Sequence, residues 1–204
     1  MIFTSDQAQL LFKVVEIGSK RAAHLLRVLI GSEVTLGIPC LKLGHSLSGA
    51  DAQPGTPQVY VGDCPTVVSM TFDGAFGGTS YLVFDSESAS RLGVVLSKED
   101  PRAECGEDWR NSAISEVGNI LLNSLVGAMG NVLGEVLSYS TPQYCDNKPQ
   151  LDIKNDGSVG LSSLLAGSQF HIEDHQVSGA FYIQLDSQKH QAFFRALNRT
   201  LIAA

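Results

Sequence analysis

The chain has 204 residues, of which 44% are apolar and 17% charged, an ordinary composition for a globular protein. Its 14 basic and 21 acidic side chains give a formal net charge of −7 at pH 7. An acidic chain without a basic stripe argues against nucleic acid and anionic membranes as partners. The length suits one domain, or two halves of about 100 residues that share a core.

The cysteines and the hydropathy pattern indicate the cellular compartment in which the protein is expected. None of the four cysteines forms the Cys-x-x-Cys pair of a zinc site. The first residues lack a basic region followed by an apolar one, and no apolar run reaches about 18 residues. We therefore expect a cytoplasmic protein with buried, reduced thiols and no membrane span.

Hydrophobic periodicity and turn signals divide the chain into two similar series of elements. Thr4 with Gln7 resembles a capping box for the first helix, and Ser86 is predicted to cap a short one. The first half is predicted to contain a long helix, a loop-rich region, two strands and a short helix, at residues 4–30, 31–63, 66–72, 79–84 and 86–96. The second half is predicted to contain a long helix, a loop, two strands and a closing helix, at residues 108–137, 139–156, 168–174, 178–185 and 187–199.

Two short sequence segments each recur about 100 residues later in the chain. Residues 15–19 return at 115–119, and residues 78–86 return at 179–187, with offsets of 100 and 101. Two words in the same order at one spacing indicate an internal duplication.

We therefore predict a single α+β domain made of two pseudo-repeats, about 5–96 and 108–200, joined by a charged connector at 97–107. The strand pairs of the two repeats would share one antiparallel sheet that is covered by helices.

The second long helix carries the most informative pattern. Ser112, Glu116 and Asn119 stand at i, i+4 and i+7, which places them on one face of a helix. The opposite face carries an apolar stripe suited to burial: Ile114, Val117, Leu121, Leu125, Val126 and Met129. We expect Glu116 and Asn119 to be exposed side by side, where they could enter the cleft of a partner.

These positions, together with Pro142, resemble a family signature. The spacing Asp/Ser, three residues, Glu, two residues, Asn, twenty-two residues, Pro is matched without a gap by Ser112, Glu116, Asn119 and Pro142. It is similar to the CheC/CheX/FliY family of response-regulator phosphatases in bacterial chemotaxis, and the length fits CheC best. The upstream segment 69–92 also reads like that family, and the likeness runs from about residue 5 to about residue 200.

The resemblance implies a substrate and roles for the site residues. The substrate would be the phosphorylated aspartate of a CheY-like receiver, whose hydrolysis depends mainly on positioning and electrostatics. Asn119 would orient the attacking water, and Glu116 would dock on a receiver lysine near the phosphate. Ser112 and Pro142 would support the motif. The protein would have no cofactor of its own, because Mg²⁺ would come with the receiver.

The first long helix departs from the signature. Phe12 stands where Asp or Ser is expected, Ser19 stands where Asn is expected, and Pro39 follows Ser19 by 20 positions instead of 23. A serine hydroxyl is too short to place a water where a carboxamide would. We therefore interpret Glu16 and Ser19 as a degenerate second site with a structural role, in which Glu16 could still serve as a docking group.

Other patterns carry less chemistry. His171, Glu173 and His175 would share one face of a strand and could converge on a metal, but an exposed sheet edge is the simpler interpretation. The glycine-rich segment 74–80 lacks the lysine of a phosphate-binding loop and is better explained as a hairpin turn. Asn123 and Asn131 are unusual inside a helix and could be surface or interhelix polar groups.

A function from a different class stays open at this point. The chain could be a non-catalytic interaction module that binds a receiver, a CheD-like deamidase or a flagellar switch protein. The complete motif on the second helix favours catalysis. Its loss on the first helix shows that this lineage tolerates loss of the motif, which keeps the non-catalytic alternative open.

Overall fold

The computed structural model describes residues 4–43, 66–97, 107–145 and 164–203 and confirms the α+β class. Within these ranges the helices are α1 Ser5–Ile30, α2 Ser86–Ser97, α3 Glu107–Leu133 and α4 His190–Ala203. The strands are β1 Thr35–Leu36, β2 Cys40–Leu43, β3 Thr66–Gly74, β4 Gly78–Phe84, β5 Leu137–Tyr139, β6 Gln143–Cys145, β7 Leu164–Ile172 and β8 Val177–Leu185. Residues 44–63 of the predicted loop-rich region lie outside the described residues, as does the predicted connector apart from the helix ends at Ser97 and Glu107.

Local side-chain chemistry fixes the ends of the first two helices. The predicted capping box is present, with Thr4 and Gln7 each accepting the other's backbone N–H through a side-chain oxygen, at 2.9 and 3.2 Å. α1 ends at Gly31, whose φ of 78° is easily reached without a Cβ. The cap predicted for α2 was wrong by one residue, because Asp85, and not Ser86, accepts the backbone N–H of Ser88, at 2.6 Å.

α3 is shorter at its end than the sequence predicted. Gly134, with a φ of 67°, takes the left-handed conformation that ends a helix, so α3 stops at Leu133 instead of residue 137. The chain then enters β5, where the end of the helix was predicted, and β6, in the stretch predicted as loop, and both strands pair with β3. Residues 146–156 of that predicted loop lie outside the described part of the chain.

The two predicted strand pairs are present as the hairpins β3–β4 and β7–β8, and they join through antiparallel pairing of β4 with β8. β7 ends at Ile172, two residues earlier than predicted, since Glu173–His175 form a 3₁₀ turn. The edge strands cross between halves. β1 and β2, from the first half, pair with β7, whereas β5 and β6, from the second half, pair with β3.

The strand registers agree with a twofold arrangement. At the centre of the β4–β8 ladder, Tyr81 faces Tyr182, 101 positions later. At the edges, Leu36 pairs with Phe170 as Tyr139 pairs with Phe72. These registers support the predicted duplication, which remains a prediction that superposing residues 5–96 on 108–200 would test.

All four helices contribute to one apolar core on one face of the sheet, together with side chains such as Val68, Leu82 and Phe181. Alternate strand residues point to the other face, where a smaller buried cluster forms: Val67, Tyr81, Val83, Ala180 and Tyr182. Because the core occupies one face of the sheet, the outer sides of α1 and α3 are left to carry function.

Candidate functional site

The sheet holds α3 in a fixed orientation. Every residue of the predicted apolar stripe is buried. Gly118 lies directly against Val68 of β3, where a Cβ would come within 2.5 Å of the valine side chain. Since Gly118 sits between Glu116 and Asn119 in sequence and faces inward, the close contact turns those two side chains away from the sheet. This role of Gly118 was not predicted, although an interior helical glycine is a recognisable signal.

The predicted motif residues of α3 lie on its outer side. Ser112 and Glu116 are exposed, and Asn119 is half-buried. Residues three and four positions apart on a helix are neighbours, so the three side chains form one continuous polar strip. Asn119 is less exposed than expected, because a further asparagine on the next turn is hydrogen-bonded to it.

That second asparagine is Asn123. Its Nδ2 group donates a hydrogen bond of 2.8 Å to Oδ1 of Asn119. The bond sets the rotation of the Asn119 carboxamide. It leaves one Oδ1 lone pair and the Nδ2 hydrogens of Asn119 for other partners. From the sequence alone, Asn123 is predicted only as a surface or interhelix polar group.

Glu116 has no ion-pair partner among the residues that the structure describes. Its carboxylate is therefore available to a cation on another molecule. The neighbour one turn later is Ile120, which carries no charge.

The corresponding stretch of α1 is arranged differently. Glu16 is exposed and lies 2.6 Å from Nζ of Lys20, and the hydrogen bond from Lys20 holds the pKa of Glu16 below its ordinary value. Ser19 is only 1% exposed, and its Oγ has no hydrogen-bond partner among the residues that the structure describes. Phe12, at the place that Ser112 takes in α3, is 39% exposed. The hydroxyl of Ser19 is buried and the carboxylate of Glu16 is ion-paired within its own helix, so neither group is well placed to bind another molecule.

Pro142 is not on the helix but at the sheet edge, half-buried between β5 and β6. Regular backbone pairing with β3 is interrupted between these two strands. The backbone N–H of Ser140 donates to the carbonyl oxygen of Thr71 in β3, and the N–H of Thr71 donates to Oγ of Ser140. A proline suits this place because it has no N–H to pair. Pro39 fills the same place between β1 and β2, so the first half keeps this feature despite its different spacing.

The histidine pattern in the second hairpin forms hydrogen bonds and not a convergent ligand set. His171 contacts Oγ of Ser178 at 2.7 Å and the Glu173 carboxylate at 3.0 Å, while His175 contacts Ser32 at 3.0 Å. The shared strand face expected for the three residues was wrong, because Glu173–His175 form the 3₁₀ turn. Within the described ranges, no three His, Cys, Asp or Glu side chains are placed to hold a metal ion.

Two further observations concern the surface. A cavity of about 400 Å³ opens beside β1, β7 and β8. Its described lining includes His171 but none of the motif residues of α3. Cys145 is exposed, contrary to the expected burial, because it ends the short edge strand β6. Cys64 and Cys105 lie outside the described residues. No helix in the described part of the chain is both long and apolar enough to cross a membrane.

Comparison with known proteins agrees with the predicted resemblance. No family model matches the chain. Over 67 residues the chain is 37% identical to CheC1 of Halobacterium salinarum, which is described as a candidate CheY-P phosphatase. That match covers 32% of this chain and 34% of the relative, so the matched stretch spans about a third of the relative's length.

Solved structures extend the likeness over nearly the whole chain. FliY of Thermotoga maritima has a TM-score of 0.68 at 15% identity, covering 98% of this chain and 100% of that one. CheX of Borrelia burgdorferi, solved with CheY, BeF₃ and Mg²⁺, has a TM-score of 0.57 at 18% identity, covering 85% and 98%. The chain resembles the CheC/CheX/FliY family in fold and, over a third of its length, in sequence. FliM of H. pylori, solved in complex with SpeE, shares the fold too, with a TM-score of 0.68 at 8% identity and 98% of both chains covered.

Proposed function

We propose that the chain is a chemotaxis phosphatase that hydrolyses the aspartyl phosphate of a CheY-like receiver. The observation that carries the proposal is the outward strip on α3. There Glu116, which has no ion-pair partner among the described residues, lies beside the oriented carboxamide of Asn119. The sequence match to CheC1, described as a candidate CheY-P phosphatase, and the fold shared with a CheX solved in complex with CheY give independent support.

Asn119 would act on the water. Hydrolysis of an acyl phosphate needs a water held in line with the phosphorus, and most of the catalytic effect comes from positioning and electrostatics. A carboxamide can accept a hydrogen bond from a water and donate one to an oxygen nearby. Asn119 keeps both capacities because Asn123 occupies only one lone pair of its Oδ1.

Glu116 would bind the receiver. A carboxylate that approached the phosphoryl group directly would be repelled by its negative charge, so its partner must be a cation. A lysine of the receiver beside the phosphorylated aspartate fits this requirement. A charge-assisted hydrogen bond to that lysine would fix the distance between Asn119 and the phosphorus.

The metal ion of the reaction would belong to the receiver. Mg²⁺ is usually bound by one or two carboxylates together with phosphate oxygens, and the receiver's phosphorylated site supplies both. We therefore expect Mg²⁺ to be required through the substrate, with no separate binding to this chain.

The proposal is tested by following the decay of a phosphorylated CheY-like receiver with this chain present at a tenth of the receiver concentration. A phosphatase removes many equivalents of phosphate per chain and shows saturation with substrate. The alternative function, a non-catalytic module for a receiver, a CheD-like protein or a switch protein, predicts at most a stoichiometric change in the decay. The whole-length fold likeness to FliM keeps that alternative relevant. Unaccelerated decay at every ratio of chain to receiver would refute the phosphatase proposal.

A further inference from the structure

Two asparagines one turn apart in the middle of a helix need an explanation. Asparagine is a poor residue for a helix interior, because its side chain competes with the backbone for hydrogen bonds. Asn119 and Asn123 instead bond each other, from Nδ2 of Asn123 to Oδ1 of Asn119 at 2.8 Å, and both side chains are half-buried.

The bond decides which end of the Asn119 carboxamide faces outward. The last torsion of an asparagine side chain is broad and roughly twofold, so an isolated Asn119 would exchange its oxygen and nitrogen positions easily. A donor fixed one turn away stabilises the orientation in which Oδ1 lies toward Asn123. The Nδ2 group of Asn119 then points consistently away from it.

The first long helix supports the coupling of the two positions. One hundred residues earlier, Ser19 stands at the place of Asn119 and Ala23 at the place of Asn123. Ala23 is 6% exposed and carries no hydrogen-bonding group. The helix that lacks the carboxamide therefore also lacks the donor that would orient it.

We infer that Asn123 is a positioning residue for Asn119, which fixes the carboxamide so that it holds the attacking water in the proposed phosphatase reaction. The inference rests on the proposed function of Asn119. Asn123 itself touches no reacting atom, so its removal should lower kcat and leave KM within about twofold.

The test compares five variants, four single and one double, by steady-state phosphatase kinetics on a phosphorylated CheY-like receiver. Asn123→Ala should lower kcat about three- to tenfold, the factor expected for one neutral hydrogen bond. Asn123→Gln can still donate to an asparagine one turn away and should restore kcat to within about twofold of the parent. Asn131→Ala, at an exposed asparagine of the same helix, is the matched control and should leave kcat unchanged. In an Asn119→Ala background, Asn123→Ala should cause no further loss of kcat.

A second readout follows the chain without its substrate. The side-chain amide signals of Asn119 in nitrogen–proton NMR spectra should shift in Asn123→Ala and return toward the parent positions in Asn123→Gln. The inference is overturned if Asn119→Ala lowers kcat while Asn123→Ala does not, or if Asn123→Ala has the same effect in the Asn119→Ala background. An Asn119→Ala variant with full activity would instead refute the proposed function of Asn119.

Discussion

Helices α1 and α3 have nearly the same length, 26 and 27 residues, and pack on the same face of the sheet. Each carries a glutamate on its outer side, at Glu16 and Glu116. The carboxylate of Glu16 is bonded by Lys20 of its own helix, whereas Glu116 has no such cation among the described residues.

An exposed glutamate on the outer side of a helix is therefore not sufficient for the proposed phosphatase site, because its neighbours decide whether it can bind a partner. Three neighbouring positions distinguish the two helices, namely Ser19, Lys20 and Ala23 against Asn119, Ile120 and Asn123. The first set gives a buried hydroxyl, an internal ion pair and a methyl group. The second gives an oriented carboxamide beside a carboxylate that is free to bind another molecule.

The strongest challenge to the comparison is Asn119→Ala. This change keeps the helix but removes the group proposed to orient water, so we expect phosphatase turnover to fall about 10²–10³-fold, as for loss of one transition-state hydrogen-bond donor. Binding to the phosphorylated receiver should change little, because the interaction matters mainly in the transition state. Single-turnover rates and receiver affinity measure the two effects separately. Loss of turnover in Ser19→Ala with retention in Asn119→Ala would mean that α1 carries the site.

Glu116→Ala should have the next largest effect and should act on binding. Removing a charge-assisted hydrogen bond to a receiver lysine should lower kcat/KM about 10- to 100-fold, with a clear rise in KM. Glu16→Ala is the matched control on the other helix and should change kcat/KM less than twofold. Receiver titrations at low and high salt give the measurement. Equal losses in the two variants would remove the distinction between the helices.

Ser19→Ala sharpens the comparison through stability. The buried Oγ of Ser19 has no hydrogen-bond partner within the described ranges, and alanine is the better helix former, so the free energy of unfolding should rise by about 1 kcal/mol. Phosphatase activity should be unchanged. Ser124→Ala, at a half-buried serine of α3, controls for helix propensity and should stabilise the chain less. Urea denaturation of the two variants gives both values, and a destabilised Ser19→Ala would contradict our view of Ser19.

The smallest effect concerns the ion pair on α1. Lys20 lowers the pKa of Glu16 in the folded chain. The ion pair therefore stabilises the fold at pH values above 4.5, the ordinary pKa of a glutamate. That stability is lost as the pH falls through the lower folded value. In Lys20→Ala the pKa of Glu16 should return toward 4.5, measured by NMR titration of its carboxyl carbon. An unchanged titration would show that the ion pair does not hold Glu16 in solution.

The sequence allowed most of the local structure to be predicted, because long helices and hairpins are visible as periodicity within one segment. The end of α3 was placed too late because Val136 and Leu137 continue its apolar pattern beyond Gly134. The edge strands β5 and β6 were missed because three residues carry little periodicity and their partner β3 lies far away in sequence.

For the candidate site, the placement of the motif residues on α3 could be predicted from the sequence, whereas the contacts around them could not. The spacing of Ser112, Glu116 and Asn119 placed them on one face, as the structure shows. The bond from Asn123 could not be foreseen, since an asparagine on the next turn could equally face water. The burial of Ser19 depends on how α1 packs against α3, where Gly18 lies against Leu125, and no local pattern reveals that contact.

The crossing edge strands have a consequence for how this chain could change over time. Since β1 and β2 complete the hairpin of the second half, and β5 and β6 complete that of the first, neither half can be deleted without exposing an unpaired edge of the other. A protein cut between the halves should therefore remain as two interlaced fragments. The first half is therefore needed for the strands β1 and β2 that it supplies to β7, whatever chemistry the outer face of α1 carries.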